Sequence, residues 1–145
     1  MESTDEKILG LLARDGRMSY TDLGKATGLS TSAAQQRVRR LEQRGVITGY
    51  RAVIDPAALD KPLTAFIAVR TVNPAEEDAI RDKLTDLPEV ASCYSVAGRF
   101  GHLLKVMVGS PQDLERLLGE IRSRANVSTE TTLVLSVPFE DRPPV

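Results

Sequence analysis

Residues 28–45 read GLSTSAAQQRVRRLEQRG, and the fold is decided there. Ser30 suits a helix N-cap, because its hydroxyl accepts a hydrogen bond from an unpaired N–H of the first turn. Gly45 suits the stop, since glycine takes the left-handed conformation beyond a helix end without strain. At about 100° per residue, Ala34, Val38, Leu41 and Gly45 fall on one side. Ser32, Gln36, Arg39, Arg40 and Gln43 fall on the other, with Arg37 and Arg44 on one flank. Arginine, glutamine and serine suit phosphates and the base edges of a major groove. The four arginines face only Glu42, and the face lacks the i,i+4 Glu–Lys pairs of an ordinary solvated helix.

The residues before this helix set its role. Residues 3–15, STDEKILGLLARD, predict a first helix opened by a capping box of Ser3 and Glu6. Ile8, Leu9, Leu12 and Ala13 follow helical spacing, and Gly16 ends the element. A second helix begins at Ser19, with Asp22 three residues on, and buries Leu23 and Ala26. Thr27-Gly28-Leu29 is a tight turn, which completes a helix-turn-helix. After Gly45, VITGYRAVI places the strand formers Val46, Ile47, Tyr50 and Val53 around Thr48-Gly49, predicting a hairpin wing. In such a motif the second helix reads the major groove while the first crosses the backbone. The expected partner is double-stranded DNA. The expected contacts are Ser30, Thr31, Ser32, Gln35, Gln36, Arg37, Arg39, Arg40, Gln43 and Arg44. The alternative is a helical bundle used for protein contacts.

A chain of 145 residues suits one domain of ordinary size or two small ones. The net charge of −1 hides an asymmetry. Residues 1–61 carry 10 Lys and Arg against 8 Asp and Glu, and residues 62–145 carry 9 against 12, which assigns a polyanion partner to the first part. No run approaches the ~18 apolar residues of a membrane span, and the acidic N-terminus lacks an apolar signal core. A cytoplasmic location without a membrane partner is expected. One cysteine and one histidine exclude an internal disulfide and a Cys/His zinc site within one chain. Cys93 lies in an apolar, strand-like run and reads as a buried structural thiol. No nucleophile–base pair, metal cluster or phosphate-cradling loop is visible, so neither enzymatic activity nor a cofactor is expected.

Residues 55–62, DPAALDKP, are bracketed by prolines and read as a linker holding one helical turn. It divides a DNA-binding domain, 1–54, from a second domain, 63–145. There LTAFIAVRTV (63–72) is a strand, and residues 74–87 a helix with Pro74 at its first position and Ile80, Leu84 and Leu87 on one face. Strands at 90–98 and 102–109 flank the turn Gly98-Arg99-Phe100-Gly101. Ser110 caps a helix burying Leu114, Leu117, Leu118, Ile121 and Ala125, and 127–139 is the last strand. The order β-α-β-β-α-β is the ferredoxin-like plan, an antiparallel sheet with helices on one face. The fold class is therefore α+β, a winged helix-turn-helix followed by a ferredoxin-like domain. In the first strand both alternating sets are apolar, so the face away from the helices asks for a second subunit, sheet against sheet.

The whole pattern resembles the Lrp/AsnC, or feast/famine, family of bacterial transcription regulators. The resemblance is carried by DEKILGLLARDGRMSYTDLGKATGLSTSAAQQRVRRLEQRGVITGYRAVIDPAALD, by VASCYSVAGRFGHLLKV and by ANVSTETTLVL. It implies a DNA-binding N-terminal domain, an effector-binding C-terminal domain and homodimers that assemble to tetramers or octamers. It implies an amino acid or related small metabolite as effector, bound near contacts between dimers. It places the effector region at the turn Ala97-Gly98-Arg99-Phe100-Gly101-His102-Leu103, and Thr129, Glu130 and Thr131 of the last strand are candidates to face the same pocket. The family commonly has Gly-x-Tyr-Asp-Tyr across this turn, whose Asp suits an ammonium group. Here Gly101 stands in its place. Arg99 suits a carboxylate and Phe100 an aromatic ligand. The alternatives are a tight hairpin with no ligand role, and ordinary strand polarity at Thr129, Glu130 and Thr131. His102 at a strand start reads as a structural residue. The function implied is a sequence-specific, effector-responsive regulator. The alternatives are an architectural DNA-binding protein and a ferredoxin-like small-molecule module of amino-acid metabolism.

Overall fold

A computed structural model describes residues 1–145. Their packing divides them into two units, residues 1–53 with 139–145, and residues 54–138.

In the first unit three helices form close to where caps and stops predict them. Helix α1 spans Ser3–Arg14, α2 Tyr20–Thr27 and α3 Thr31–Gln43. Ser19 caps α2 by accepting from the Asp22 N–H, and Ser30 caps α3 by accepting from the Ala33 N–H at 3.1 Å. Past α3 the Gly45 N–H donates to the Glu42 carbonyl at 3.0 Å and the Val46 N–H to the Leu41 carbonyl at 2.9 Å. With Gly45 at φ +72°, this paired closure satisfies carbonyls that the helix leaves open. Ile8, Leu23, Ala34, Val38 and Leu41 form the core, with Leu9, Leu12, Met18, Leu29 and Ile47 around it. The tail also packs here, where Arg14 donates to the Val145 carbonyl at 3.2 Å.

Two expectations fail in this unit. Ser3 does not cap α1 but lies inside it, and Glu2 holds the cap position without a side-chain cap bond. The Glu2 carboxylate is drawn instead to Arg37 at 2.8 Å, and its backbone carbonyl accepts from the Glu6 N–H. The hairpin wing is absent: residues 46–54 form no strand, and Tyr50, Val53 and Ile54 stand exposed. A lone two-stranded ribbon has little to hold it without a surface beneath it.

The second unit begins with Asp55 capping a 3-10 turn, Pro56–Leu59. Strand β1 spans Leu63–Thr71, β2 Val90–Ser95, β3 His102–Val108 and β4 Val127–Leu133. The sheet is antiparallel in the order β2-β3-β1-β4. One face of β1, Ala65, Ile67 and Val69, is buried with Leu104, Val106 and Val108 beneath the helices. Those helices are α4, Ile80–Leu84, and α5, Pro111–Arg124, which contribute Ile80, Leu84, Leu117 and Ile121. Leu87 follows α4 in the same core, and Ala125 is buried just past α5.

Three further expectations are corrected here. The helix expected over 74–87 opens as a 3-10 segment, Pro74–Ala79, before α4. Such tightening is common at helix starts, and here it leaves Glu77 bonded back to Thr71 at the end of β1. Strand β4 spans only Val127–Leu133, with Leu133 opposite Ala65 and the Val134 N–H still donating to the Thr64 carbonyl at 2.9 Å just past its end. Cys93 is exposed, because β2 is an edge strand with only β3 beside it. Desolvation still pushes its thiol up against the opposing pull of Arg81, so the group is a poor nucleophile.

The other face of the sheet is partly apolar. Half-buried Phe66 lies opposite Lys105 and Thr132, and half-buried Ala68 opposite Leu103 and Glu130. This face mixes the apolar side chains of β1 with charged and polar ones from its neighbours.

Candidate nucleic-acid interface and effector cleft

The exposed face of α3 follows from its buried stripe. Ala34, Val38 and Leu41 face the core, so helical geometry turns Ser32, Gln36, Arg39, Arg40 and Gln43 outward, and all five are exposed. Arg44, just past the helix, is exposed as well. At the helix start, exposed Ser30 and Ser32 have hydroxyls 3.3 Å apart. The Thr31 hydroxyl donates to that of Thr21 at 3.3 Å, which ties α3 to α2. Gln35 is half-buried on the flank.

Arg37 is placed differently from the other arginines. Its guanidinium donates to Glu2 at 2.8 Å and to Asp5 at 3.1 Å, both at the start of α1. The hydrogen bond to Glu2, then that to Asp5, holds the group above its ordinary pKa. Arg37 is thus occupied within the chain and pins α1 to α3.

In the second unit the register gathers the effector candidates at one end of the sheet. Val69 pairs with His102 on one side and Thr129 on the other. The Val96 N–H donates to the Gly101 carbonyl at 2.9 Å, which closes the turn between β2 and β3. A cleft of about 330 Å³ opens there, lined by Arg70, Thr71, Pro74, Glu77, Gly98, Arg99 and Gly101. Arg70 and Arg99 place their guanidinium carbons 5.6 and 5.9 Å from the Phe100 ring centroid. Ala97 is exposed and does not line the cleft; nor do Thr129 and Thr131. Glu130 belongs to the opposite sheet face, beside Ala68.

Glu77 was not foreseen. Its Oε1 accepts from His102 Nδ1 at 3.0 Å, and its Oε2 accepts from the Thr71 hydroxyl at 2.6 Å and the Thr71 N–H at 3.3 Å. The Thr71 hydroxyl bond, aided by the Thr71 N–H and His102, holds the carboxyl below its usual range against desolvation. His102 is buried, and this bond satisfies its Nδ1. A Cβ at Gly101 would lie 1.8 Å from Glu77 Oε1, so this glycine is the residue that admits the carboxylate. In the sequence Glu77 reads as an ordinary first-turn acid. The available clue was topological, since pairing β1 with β3 brings residues 71 and 101 to the same sheet end.

Comparison with known proteins agrees with both halves. Residues 1–42 match an AsnC-type helix-turn-helix domain, and residues 64–144 an Lrp/AsnC ligand binding domain. The chain is 44% identical over 142 residues to the HTH-type transcriptional regulator LrpA of Mycobacterium tuberculosis, covering 98% of this chain and 95% of that one. It is similar to a feast or famine regulatory protein of M. tuberculosis complexed with L-methionine, at TM-score 0.93 and 44% identity, covering 98% and 97% of the two chains. A transcriptional regulator of Neisseria meningitidis in complex with L-methionine matches at TM-score 0.90 and 26% identity, covering 97% and 93%.

Proposed function

The chain belongs to the Lrp/AsnC family of transcriptional regulators, a family of regulators and not of enzymes, and we propose that it reads operator DNA through α3 while an amino acid bound by its second unit modulates that grip. The observation that carries this reading is the outward face of α3, where Ser32, Gln36, Arg39, Arg40 and Gln43 stand over a buried apolar stripe. Arg39 and Arg40 present guanidinium forks to guanine edges, and Ser32, Gln36 and Gln43 read neighbouring bases. Arg44, with Ser30, Thr31 and Gln35 at the rim, meets the phosphates. Arg37 acts from within by holding α1 against α3.

The protein works in the cytoplasm as a homodimer, the unit from which tetramers or octamers are built. The second copy covers the sheet face bearing Phe66, Ala68 and Leu103, whose remaining exposed apolar surface beside Glu130 supports an interface of mixed character. A two-fold dimer presents two copies of α3 to half-sites one or more helical turns apart. Residues 55–62 link the two functions, and amino acid and DNA are coupled only if each changes the other's affinity.

The test is fluorescence anisotropy on duplexes from the DNA upstream of the gene, with and without amino acids. Arg39→Ala or Arg40→Ala is expected to cost ~1–3 kcal/mol and to relax preference at one base position. Unchanged binding of every duplex by both variants removes α3 from the reader role.

A further inference from the structure

The cleft beside the 98–101 turn carries both signs of charge. Arg70 and Arg99 both line it, with their guanidinium carbons 5.6 and 5.9 Å from the Phe100 ring centroid. Glu77, three-tenths exposed at its side chain, supplies a carboxylate that its partners keep ionised. Oε2 accepts two hydrogen bonds from Thr71, which fills its two acceptor directions. Oε1 accepts one, from His102, and keeps one direction open. That oxygen lies against Gly101, where no side chain covers it.

We propose that Glu77 is the residue that takes the effector's ammonium group, with Arg70 and Arg99 receiving its carboxylate, so that the cleft accepts a zwitterionic α-amino acid. The proposal rests on the reading above that this unit binds an amino acid. It adds the anionic anchor, which the turn itself does not provide: residues 97–103 hold no acidic side chain. A charge-assisted bond to an anchored carboxylate is among the stronger polar contacts available, and Thr71 and His102 fix Glu77 before the ligand arrives. Gly101 is then a specificity residue, since any side chain there would displace the carboxylate.

The experiment is isothermal titration of the full protein with L-methionine and with 4-(methylthio)butanoic acid, which keeps the side chain and carboxylate but lacks the ammonium. If L-methionine is silent, whichever of the twenty amino acids raises the melting temperature replaces it, paired with its own desamino acid. Wild type is expected to prefer the amino acid by about tenfold or more, since a bond to a charged group is lost with the ammonium. Glu77→Gln is expected to weaken the amino acid by a similar factor and to leave the desamino acid unchanged. Gly101→Ala provides a second route, because its Cβ meets only the flexible end of Glu77, and the same selective loss is expected. Equal binding of the amino acid by wild type and both variants overturns the Glu77 assignment and leaves the amino-acid reading standing. No response of wild type to any of the twenty overturns both.

Discussion

The arginines of α3 divide into one that is occupied and others that are open, and DNA binding should divide the same way. Consider Arg37→Ala beside Arg44→Ala. Log K for a DNA complex falls with log salt at about 0.9 per phosphate contact. A dimer that loses one phosphate contact in each copy should therefore lose about 1.8 from its slope. Between 50 and 200 mM salt, that removes about twelvefold from the salt sensitivity of affinity. Arg44 is exposed beyond the end of α3, and its removal should give this change with the fold intact. Arg37 already donates to Glu2 at 2.8 Å and to half-buried Asp5 at 3.1 Å. Its removal should leave the slope near the wild-type value and lower the melting temperature, because Asp5 loses its partner. The assay is anisotropy of a labelled duplex at four or more salt concentrations, paired with thermal melting of each variant. An Arg37→Ala variant that lowers the slope as far as Arg44→Ala and melts like wild type would make Arg37 a phosphate contact and not a brace between α1 and α3.

Leu41→Ala should destabilise the first unit by ~2–5 kcal/mol, because the side chain is 1% exposed in a five-residue core; urea unfolding reads this directly. Ser30→Ala should cost ~1 kcal/mol by removing the acceptor of the Ala33 N–H, and amide exchange should rise in the first turn of α3 before it rises elsewhere. Glu77 has a folded-state pKa held below its ordinary value, so its stabilisation is complete above the unfolded carboxyl pKa and disappears as pH falls through the lower folded value. Melting followed from pH 7 to pH 3 should therefore show a smaller acid-side loss in Glu77→Gln than in wild type; parallel curves would count against the Thr71 and His102 bonds. Phe66→Glu should yield monomers by light scattering if a second copy covers that sheet face, and an unchanged mass would remove Phe66 from the interface.

Much of this protein was determined by local sequence. Ser19 and Ser30 cap their helices and Gly45 closes α3, because the bonds concerned span only a few residues. The spacing of Ala34, Val38 and Leu41 fixes the outward face of α3, since a helix has one period and one wet side. The strand and helix order of the second half likewise follows from patterns of two and 3.6 residues and the prolines between them.

Tertiary structure decided whatever depends on groups distant in the chain. Arg37 reads as one more arginine of a basic face until α1 brings Glu2 and Asp5 against it, and Glu2, whose carboxylate meets Arg37, holds the cap position of α1 in place of Ser3. Strand formers at 46–54 make no strand, because a strand exists only with a neighbour to share its hydrogen bonds. Cys93 is exposed because β2 lies at a sheet edge, a property of strand order and not of its apolar neighbours. Glu77, bonded to Thr71 six residues before it, reaches His102 25 residues on, in space left by a missing Cβ at Gly101. Local propensity is written in neighbouring residues, whereas the partner of a charge is chosen by the fold that brings the two together.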